Sequence, residues 1–566
     1  MRNLLQLPAA RPRALWTALI REAGLRQVGT QVGLTLLVSL LDVGGLGLAI
    51  RLLLGNQRGG PALPLQVSLP ILFMVVVGRS ALQGLASVRQ EQLQNGFSDR
   101  LRHDLLALVL AAPANQVQTV GRGDLLGLLV SDISRSTLAL DQGVRAMQNI
   151  LALLIYGLGV LVVARNAALP LVLGLGAAAT AALLRRSGAW QLGRLQTQLN
   201  GAIQRTVGDG LHGLKAVRAA GAESWLLERF ARETEQVRQV LKSTVRRQAS
   251  YTVLRDGLAL AVVGLWLWLV QNSLTPEAVA TTLLLVVRAA SSLGTVISNL
   301  RYGLGALPGY GELCRLRQRL RAPAGDPHPT STPGLPGAGP EETAPQPLLR
   351  VSWHDPQVTV ELVRGQLTVV AGPSGSGKTT LLDGFAGLLG EERSCWDLHG
   401  PAGHSLLEGR AGARRWRQLV AYAPQDPVLF EGSLRDNLLL QRSGSGQWTD
   451  GALTVWLERL DLVHLLARPE GLDGQLHLSL DCFSGGEIRR LVLLRTWLID
   501  RPVEVLDEPT ASLDPGSAAL VRQIIRERSR ERLVLVASHD TELLAIADRT
   551  IRRSLSDRDR ARALHD

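Results

Sequence analysis

The chain has 566 residues, 46% of them hydrophobic, with 61 Lys and Arg against 49 Asp and Glu and a formal net charge of +12. That length excludes one ordinary domain and implies two to four. The positive balance would suit nucleic acid, but the arginines cluster between apolar runs, the pattern of cytoplasmic loops in a membrane protein, so no nucleic-acid partner is expected. Cys314, Cys395 and Cys482 match no zinc or disulfide spacing and read as packing residues in a reducing compartment. The basic N-terminus lacks a short apolar run ending in a small-residue cleavage site, so no removable signal is expected.

Residues 1–27 contain an amphipathic stretch, Arg13 to Arg26, suited to lying on a membrane surface. Apolar stretches follow at 28–54, 67–88, 146–164, 167–184, 253–271 and 278–299, each near the ~20 residues that cross a hydrocarbon core. The region 28–320 therefore reads as a six-helix transmembrane domain. The loops carrying only Arg58 and Arg165 face outward, and the Arg-rich segments 89–145 and 185–252 face the cytoplasm as helical extensions of the spans. Within the spans, Asp42, Arg79 and Arg288 fall near mid-membrane depth, where a charge must face a cavity or a partner. Eight prolines between Pro323 and Pro347 mark 321–347 as a flexible or extended linker. Residues 348–566 then read as a soluble α/β domain.

That domain contains Gly372-Pro373-Ser374-Gly375-Ser376-Gly377-Lys378-Thr379-Thr380, a phosphate loop between an apolar strand and a helix. Its glycines let backbone N–H groups converge on phosphate oxygens at a helix N-terminus. Lys378 would reach the β- and γ-phosphates and Thr379 would ligate Mg²⁺. Lys378 is one of only three lysines in an arginine-rich chain, with Lys215 and Lys242. A second apolar strand, Val503 to Leu506, delivers Asp507 and Glu508, a metal-holding aspartate beside a water-orienting carboxylate. A third, Leu533 to Ala537, ends at Ser538-His539. Phe483-Ser484-Gly485-Gly486-Glu487 opens a helix as an anion cradle, and Gln425 sits in a turn after Leu419 to Pro424.

With these pieces in this order, the chain resembles an ATP-binding cassette transporter of the exporter half-transporter type. The resemblance implies a six-span α-helical domain followed by a P-loop ATPase cassette, with ATP and Mg²⁺ as cofactors. It implies that Ser484, Gly485, Gly486 and Glu487 contact ATP held by a second subunit, and that Asp514 is an inter-subunit loop aspartate. It further implies Gln425 as the Mg²⁺-sensing glutamine, Glu508 as general base, His539 as the γ-phosphate switch and Asp507 as a metal ligand. Trp353 stands roughly where an aromatic stacks on adenine, with a core or surface tryptophan as the alternative. Gly123-Asp124-Leu125, and Lys215 to Glu223, resemble stretches near the family's coupling helices. Two features depart from the family: Glu487 replaces a glutamine, and Leu476 to Leu480 replaces a Gly-Glu-x-Gly segment. Glu504 places a carboxylate in a buried strand and needs a partner.

The reading is an ATP-driven exporter of a small amphipathic molecule, lipid or peptide. It would be an integral protein of the inner or plasma membrane, its cassette cytoplasmic, working with a second half-transporter, preferably a copy of itself. Leu434 to Leu440 with Ser484 to Glu487 resembles the cysteine/glutathione exporters associated with cytochrome bd assembly, so a heterodimeric thiol exporter is one alternative. An ATP-gated channel or regulator on the same fold is another. A soluble cassette ATPase of DNA repair or translation is disfavoured by the spans.

Overall fold

The computed structural model describes residues 12–54, 65–164, 189–270, 276–320, 350–355, 358–389, 394–400, 403–440, 448–467, 470–476 and 483–553, with positions 168 and 176. They form two compact units, one helical and one α/β. The stretch 321–347, read as a linker, lies outside the described residues. So does 167–184, the fourth expected span, apart from those two positions.

The helical unit contains long helices at Leu25–Leu54, Leu65–Ala111, Ile133–Ala164, Ala189–His212, Glu223–Val270 and Pro276–Leu320. Four stretches are long and apolar enough to cross a membrane: Leu25–Gly45, Leu69–Ala111, Gly123–Ala164 and Ala278–Leu320. The fifth expected span falls within Glu223–Val270, whose apolar part, Asp256–Leu269, is shorter. The count of six is therefore met by four among the described residues. At 47 residues, the helix Leu65–Ala111 is about 70 Å long, more than twice a hydrocarbon core. Short helices, Arg122–Gly127 and Leu214–Ala219, break the long ones. Gly121 (φ 79°) and Gly221 (φ 60°) adopt left-handed backbone at these reversals.

The N-terminal amphipathic stretch packs apolar residues onto the helical unit. In the helix Pro12–Ala23, Leu15, Ala18, Leu19 and Ala23 are buried against Phe97, Leu101, Leu140 and Leu313. Glu22 anchors it, accepting from Tyr310 Oη at 2.5 Å and Arg317 Nη1 at 2.6 Å. Trp16 fits a notch in which a Cβ on Gly143 would stand 1.8 Å from its ring. Small residues here permit the close approach that packs the helix.

The three mid-span charges meet. Asp42, 7% exposed, accepts from Tyr156 Oη at 2.8 Å and lies 2.8 Å from Arg79 Nε. Arg288 Nε is 3.9 Å away, its side chain 45% exposed. One carboxylate thus holds Arg79 closely and Arg288 loosely.

The α/β unit is built on a parallel sheet whose strands run, in spatial order, Arg549–Arg552, Leu367–Ala371, Leu533–Ala537, Val503–Asp507 and Val420–Ala423, and an antiparallel sheet ordered Val358–Val363, Arg350–Asp355, Cys395–Gly400 and Gly403–Glu408 packs against it. The parallel strands are β3 (Leu367–Ala371), β6 (Val420–Ala423), β9 (Val503–Asp507), β10 (Leu533–Ala537) and β11 (Arg549–Arg552). The antiparallel sheet comprises β1 (Arg350–Asp355), β2 (Val358–Val363), β4 (Cys395–Gly400) and β5 (Gly403–Glu408). Every residue of β9 and β10 is buried, as in the interior strands of a parallel sheet covered on both faces. Between the sheets, Trp396 and Trp416 both donate to the Phe385 carbonyl, at 2.8 and 2.5 Å.

Glu504 in β9 finds its partner in Arg528 of the helix Pro515–Ser529, whose Nε donates to Oε1 at 2.7 Å. Burial pushes the Glu504 carboxyl upward while Arg528 opposes it. Because Glu504 is 1% exposed, Arg528→Met leaves an uncompensated buried carboxylate and should destabilise the chain by about 3–5 kcal/mol. A second change, Glu504→Leu, should recover most of that loss. Denaturant unfolding of the full-length single and double variants checks both expectations.

Candidate functional site

Parallel strands in an open α/β sheet present their C-terminal ends to one crevice, and ligands bind there. In this protein β3, β6, β9 and β10 each deliver a motif to that edge. After β3, Gly375 (φ 78°) and Gly377 (φ 77°) turn the phosphate loop, and the helix Lys378–Phe385 starts at once. Lys378 Nζ donates to the Gly372 carbonyl at 3.0 Å, and Arg553 Nη1 donates to the Gly377 carbonyl at 2.9 Å. The loop is thus tied at both ends, leaving no room for a Cβ at Gly372, which would stand 2.6 Å from Arg553 O.

Glu508 follows β9 in left-handed backbone (φ 47°), with its N–H bonded to the Ala537 carbonyl of β10 at 2.8 Å. Its carboxylate lies between the Lys378 ammonium and the His539 imidazole, 3.4 Å from Lys378 Nζ and 2.9 Å from His539 Nδ1. Asp507 is 1% exposed, and neither carboxylate oxygen has a hydrogen-bond partner of good geometry among the described residues. Beside it, the Thr379 hydroxyl donates to Gln425 Oε1 at 3.3 Å. Burial raises the Asp507 carboxyl above the usual range, opposed by Thr379 and Lys378. Two orphaned carboxylate oxygens with a hydroxyl and an amide oxygen nearby fit a hard divalent cation such as Mg²⁺.

Ser484 caps the helix Gly485–Leu498. Its hydroxyl accepts from Glu487 N at 3.1 Å, and Glu487 Oε2 accepts from Ser484 N at 2.7 Å. Glu487 Oε1 lies 2.7 Å from His464 Nε2. Burial works against ionisation of Glu487, but the Ser484 amide and His464 outweigh it and hold its carboxyl below the ordinary range. The departure from glutamine is thereby accommodated locally. Asp514 caps Pro515–Ser529, accepting from Ser517 N at 3.0 Å.

Trp353 requires a correction. It is 2% exposed, edge-on to Phe385 with ring centroids 6.1 Å apart, and takes the core alternative, not a nucleotide-stacking position. Of the Leu476 to Leu480 departure, 477–480 lie outside the described residues, as does Cys482.

Sequence reasoning missed Arg489. It is 8% exposed, and its Nε and Nη1 are buried without a hydrogen-bond partner among the described residues. Burial lowers its affinity for its proton, while the charges of Asp426, Asp507 and Glu508 oppose that effect. It also missed Arg495, which donates to the carbonyls of Asn437 (2.7 Å) and Val428 (2.9 Å) and so braces the segment after Gln425. The available signal was three arginines, Arg489, Arg490 and Arg495, inside an otherwise apolar helix.

Comparison with known proteins agrees with this geometry. The family model described as "ABC transporter" matches residues 356–511. The lipoprotein-releasing system ATP-binding protein LolD of Bordetella pertussis is 36% identical over 198 residues, covering 34% of this chain and 82% of that protein. The chain belongs to the ABC transporter family. The glutathione/L-cysteine transport system ATP-binding/permease protein CydC of Escherichia coli is 34% identical over 182 residues, 32% of this chain. That match spans only about 30% of the relative's length. A solved bacterial Atm1-family ABC exporter with ATP bound aligns over 95% of this chain and 94% of its own, with TM-score 0.72 and 19% identity. The ABC transporter therefore shares the exporter fold across its helical and cassette regions, and its cassette is an ATP-binding domain.

The buried, unpartnered Asp507 gives a stability prediction. Its proton is held more tightly in the folded chain than in the unfolded one. Its penalty is therefore full at neutral pH and lifts as pH falls through the raised folded pKa. Asp507→Asn should raise the nucleotide-free unfolding midpoint by a few degrees, equivalent to about 1–2 kcal/mol. The same variant should abolish the extra stabilisation that Mg²⁺ gives over ATP alone. Thermal shift with ATP, with and without Mg²⁺, reads both.

Proposed function

We propose that this ABC transporter is one half of an ATP-hydrolysing exporter that acts as a dimer, preferably of two copies, and moves a small amphipathic molecule out of the cytoplasm. The observation that carries this is the convergence of Lys378, Asp507, Glu508, His539 and Gln425 on one sheet edge, in a chain whose other unit bears, among its described residues, four helices apolar enough to span a membrane.

In this reading the loop Gly372–Thr380 and Lys378 hold the phosphates through N–H groups and an ammonium. Thr379, Gln425 and Asp507 hold Mg²⁺, which supplies charge neutralisation on the phosphate oxygens. Glu508 orients water and accepts its proton, and His539, 2.9 Å away, contacts the γ-phosphate. Ser484, Gly485, Gly486, Glu487 and Asp514 serve the nucleotide held by the second chain. The bilayer is the medium, and the inner or plasma membrane the site.

Two observations bear on substrate. The match to a relative named for glutathione and L-cysteine transport supports a thiol or small-peptide cargo as a second reading. The half-exposed Arg288, held only loosely by Asp42, supports a cargo carrying a carboxylate or phosphate.

Glu508→Gln should lower ATP turnover by about 100-fold or more while retaining nucleotide binding, since a positioned base contributes on that scale. Near-normal turnover in reconstituted protein would remove Glu508 from the role. Ser484→Arg should stop hydrolysis yet leave ATP binding at the Lys378 loop intact, as equilibrium nucleotide binding will report. Arg288→Ala should diminish cargo-stimulated hydrolysis and spare the basal rate. Arg79→Ala, which strips Asp42 of its close partner, should instead reduce folded yield.

A further inference from the structure

The solvent face of the antiparallel sheet carries a cluster of metal-ligating side chains that the nucleotide chemistry does not use. Strand β4 alternates Cys395, Asp397 and His399 on one face, with Trp396 and Leu398 buried on the other. Antiparallel register sets His399 directly opposite His404 of β5, and Asp397 opposite Leu406. Directly paired residues share a face, so Asp397, His399 and His404 stand together on the outer side of the β4–β5 hairpin.

The contacts are close. Asp397 Oδ1 lies 3.3 Å from His399 Nε2 and is in direct contact with His404 Nε2. The two imidazole rings are tilted by 39° with centroids 4.7 Å apart. One donor atom from each of the three residues lies within 4.8 Å of the others. Zinc bonds of about 2.0–2.1 Å to nitrogen and oxygen put tetrahedral ligands roughly 3.3 Å apart, so small side-chain rotations close the set.

From this geometry we propose that the β4–β5 hairpin is a binding site for a borderline divalent cation, Zn²⁺ being the best fit. Two imidazoles and one carboxylate form a three-ligand set, and the half-exposed imidazoles leave the fourth position to water. The donors select against Mg²⁺ and Ca²⁺, which require oxygen ligands, so the hairpin does not compete for the nucleotide's Mg²⁺. The ligands come from two strands, and the bound cation ties together the outermost strand pair of the sheet.

Isothermal titration of the full chain with ZnCl₂ tests this, using a tag without histidine and excess Mg²⁺. One saturable Zn²⁺ equivalent is expected at the hairpin, weakened about tenfold or more in His399→Ala and in His404→Gln. His404→Gln keeps a polar side chain able to hydrogen-bond Asp397, so it separates metal ligation from hairpin integrity. An unchanged ATP-dependent thermal shift in these variants certifies the fold. Co²⁺ should give a visible ligand-field spectrum with the unaltered chain that His404→Gln loses. Equal Zn²⁺ affinity in the unaltered chain and in His399→Ala/His404→Gln combined would overturn the proposal.

Discussion

Strand β9 and the residue that follows it bring three carboxylates into buried positions, and most of the cassette's polar architecture answers them. Charge removed from water must be paired or must coordinate a cation, because the low-dielectric interior makes an isolated ion very costly. Glu504 is answered by Arg528 from the neighbouring helix. Glu508 is answered by Lys378 and His539, which come from the ends of β3 and β10. Asp507 has no hydrogen-bond partner of good geometry among the described residues, and that deficit supports the proposal that it holds a divalent cation. The strand's own stability and the site's chemistry are thus one electrostatic problem with three solutions.

The helical unit solves a related problem with less charge. Asp42 gathers Tyr156, Arg79 and Arg288 from three other helices. A second polar knot forms around Asp141, which accepts from Gln90 Nε2 at 2.6 Å and Arg145 Nε at 2.9 Å, while Gln94 also reaches it. Both knots fix helix register through directional bonds, where apolar packing alone would allow sliding. The two arginines at Asp42 differ in kind. Arg79 is committed to the pair, whereas Arg288 keeps half its side chain open.

Much of the geometry gathered at the sheet edge could be read in advance because each motif is local. A phosphate loop, a strand-ending Asp-Glu pair, a Ser-Gly-Gly helix start and a strand-ending histidine are each short and contiguous, and parallel-sheet topology gathers strand ends at one edge. Trp353 shows the limit of such reading. Its position relative to the loop was visible, but its burial against Phe385 depends on two sheets closing over it. The amphipathic N-terminal stretch shows the same limit. Periodicity revealed an apolar face without revealing that Phe97, Leu140 and Leu313 would cover it.

The amino-acid sequence alone determined the two-part organisation, the apolar helices and the chemistry of the phosphate loop, since these follow from composition and contiguous patterns. Tertiary structure alone decided the long-range pairings. Arg528 as partner of Glu504, Arg495 as donor to the Asn437 carbonyl, and His404 opposite His399 are set by helix packing and strand register. A one-residue slip in β5 would carry His404 to the buried face, so no reading of spacing could have specified that cluster.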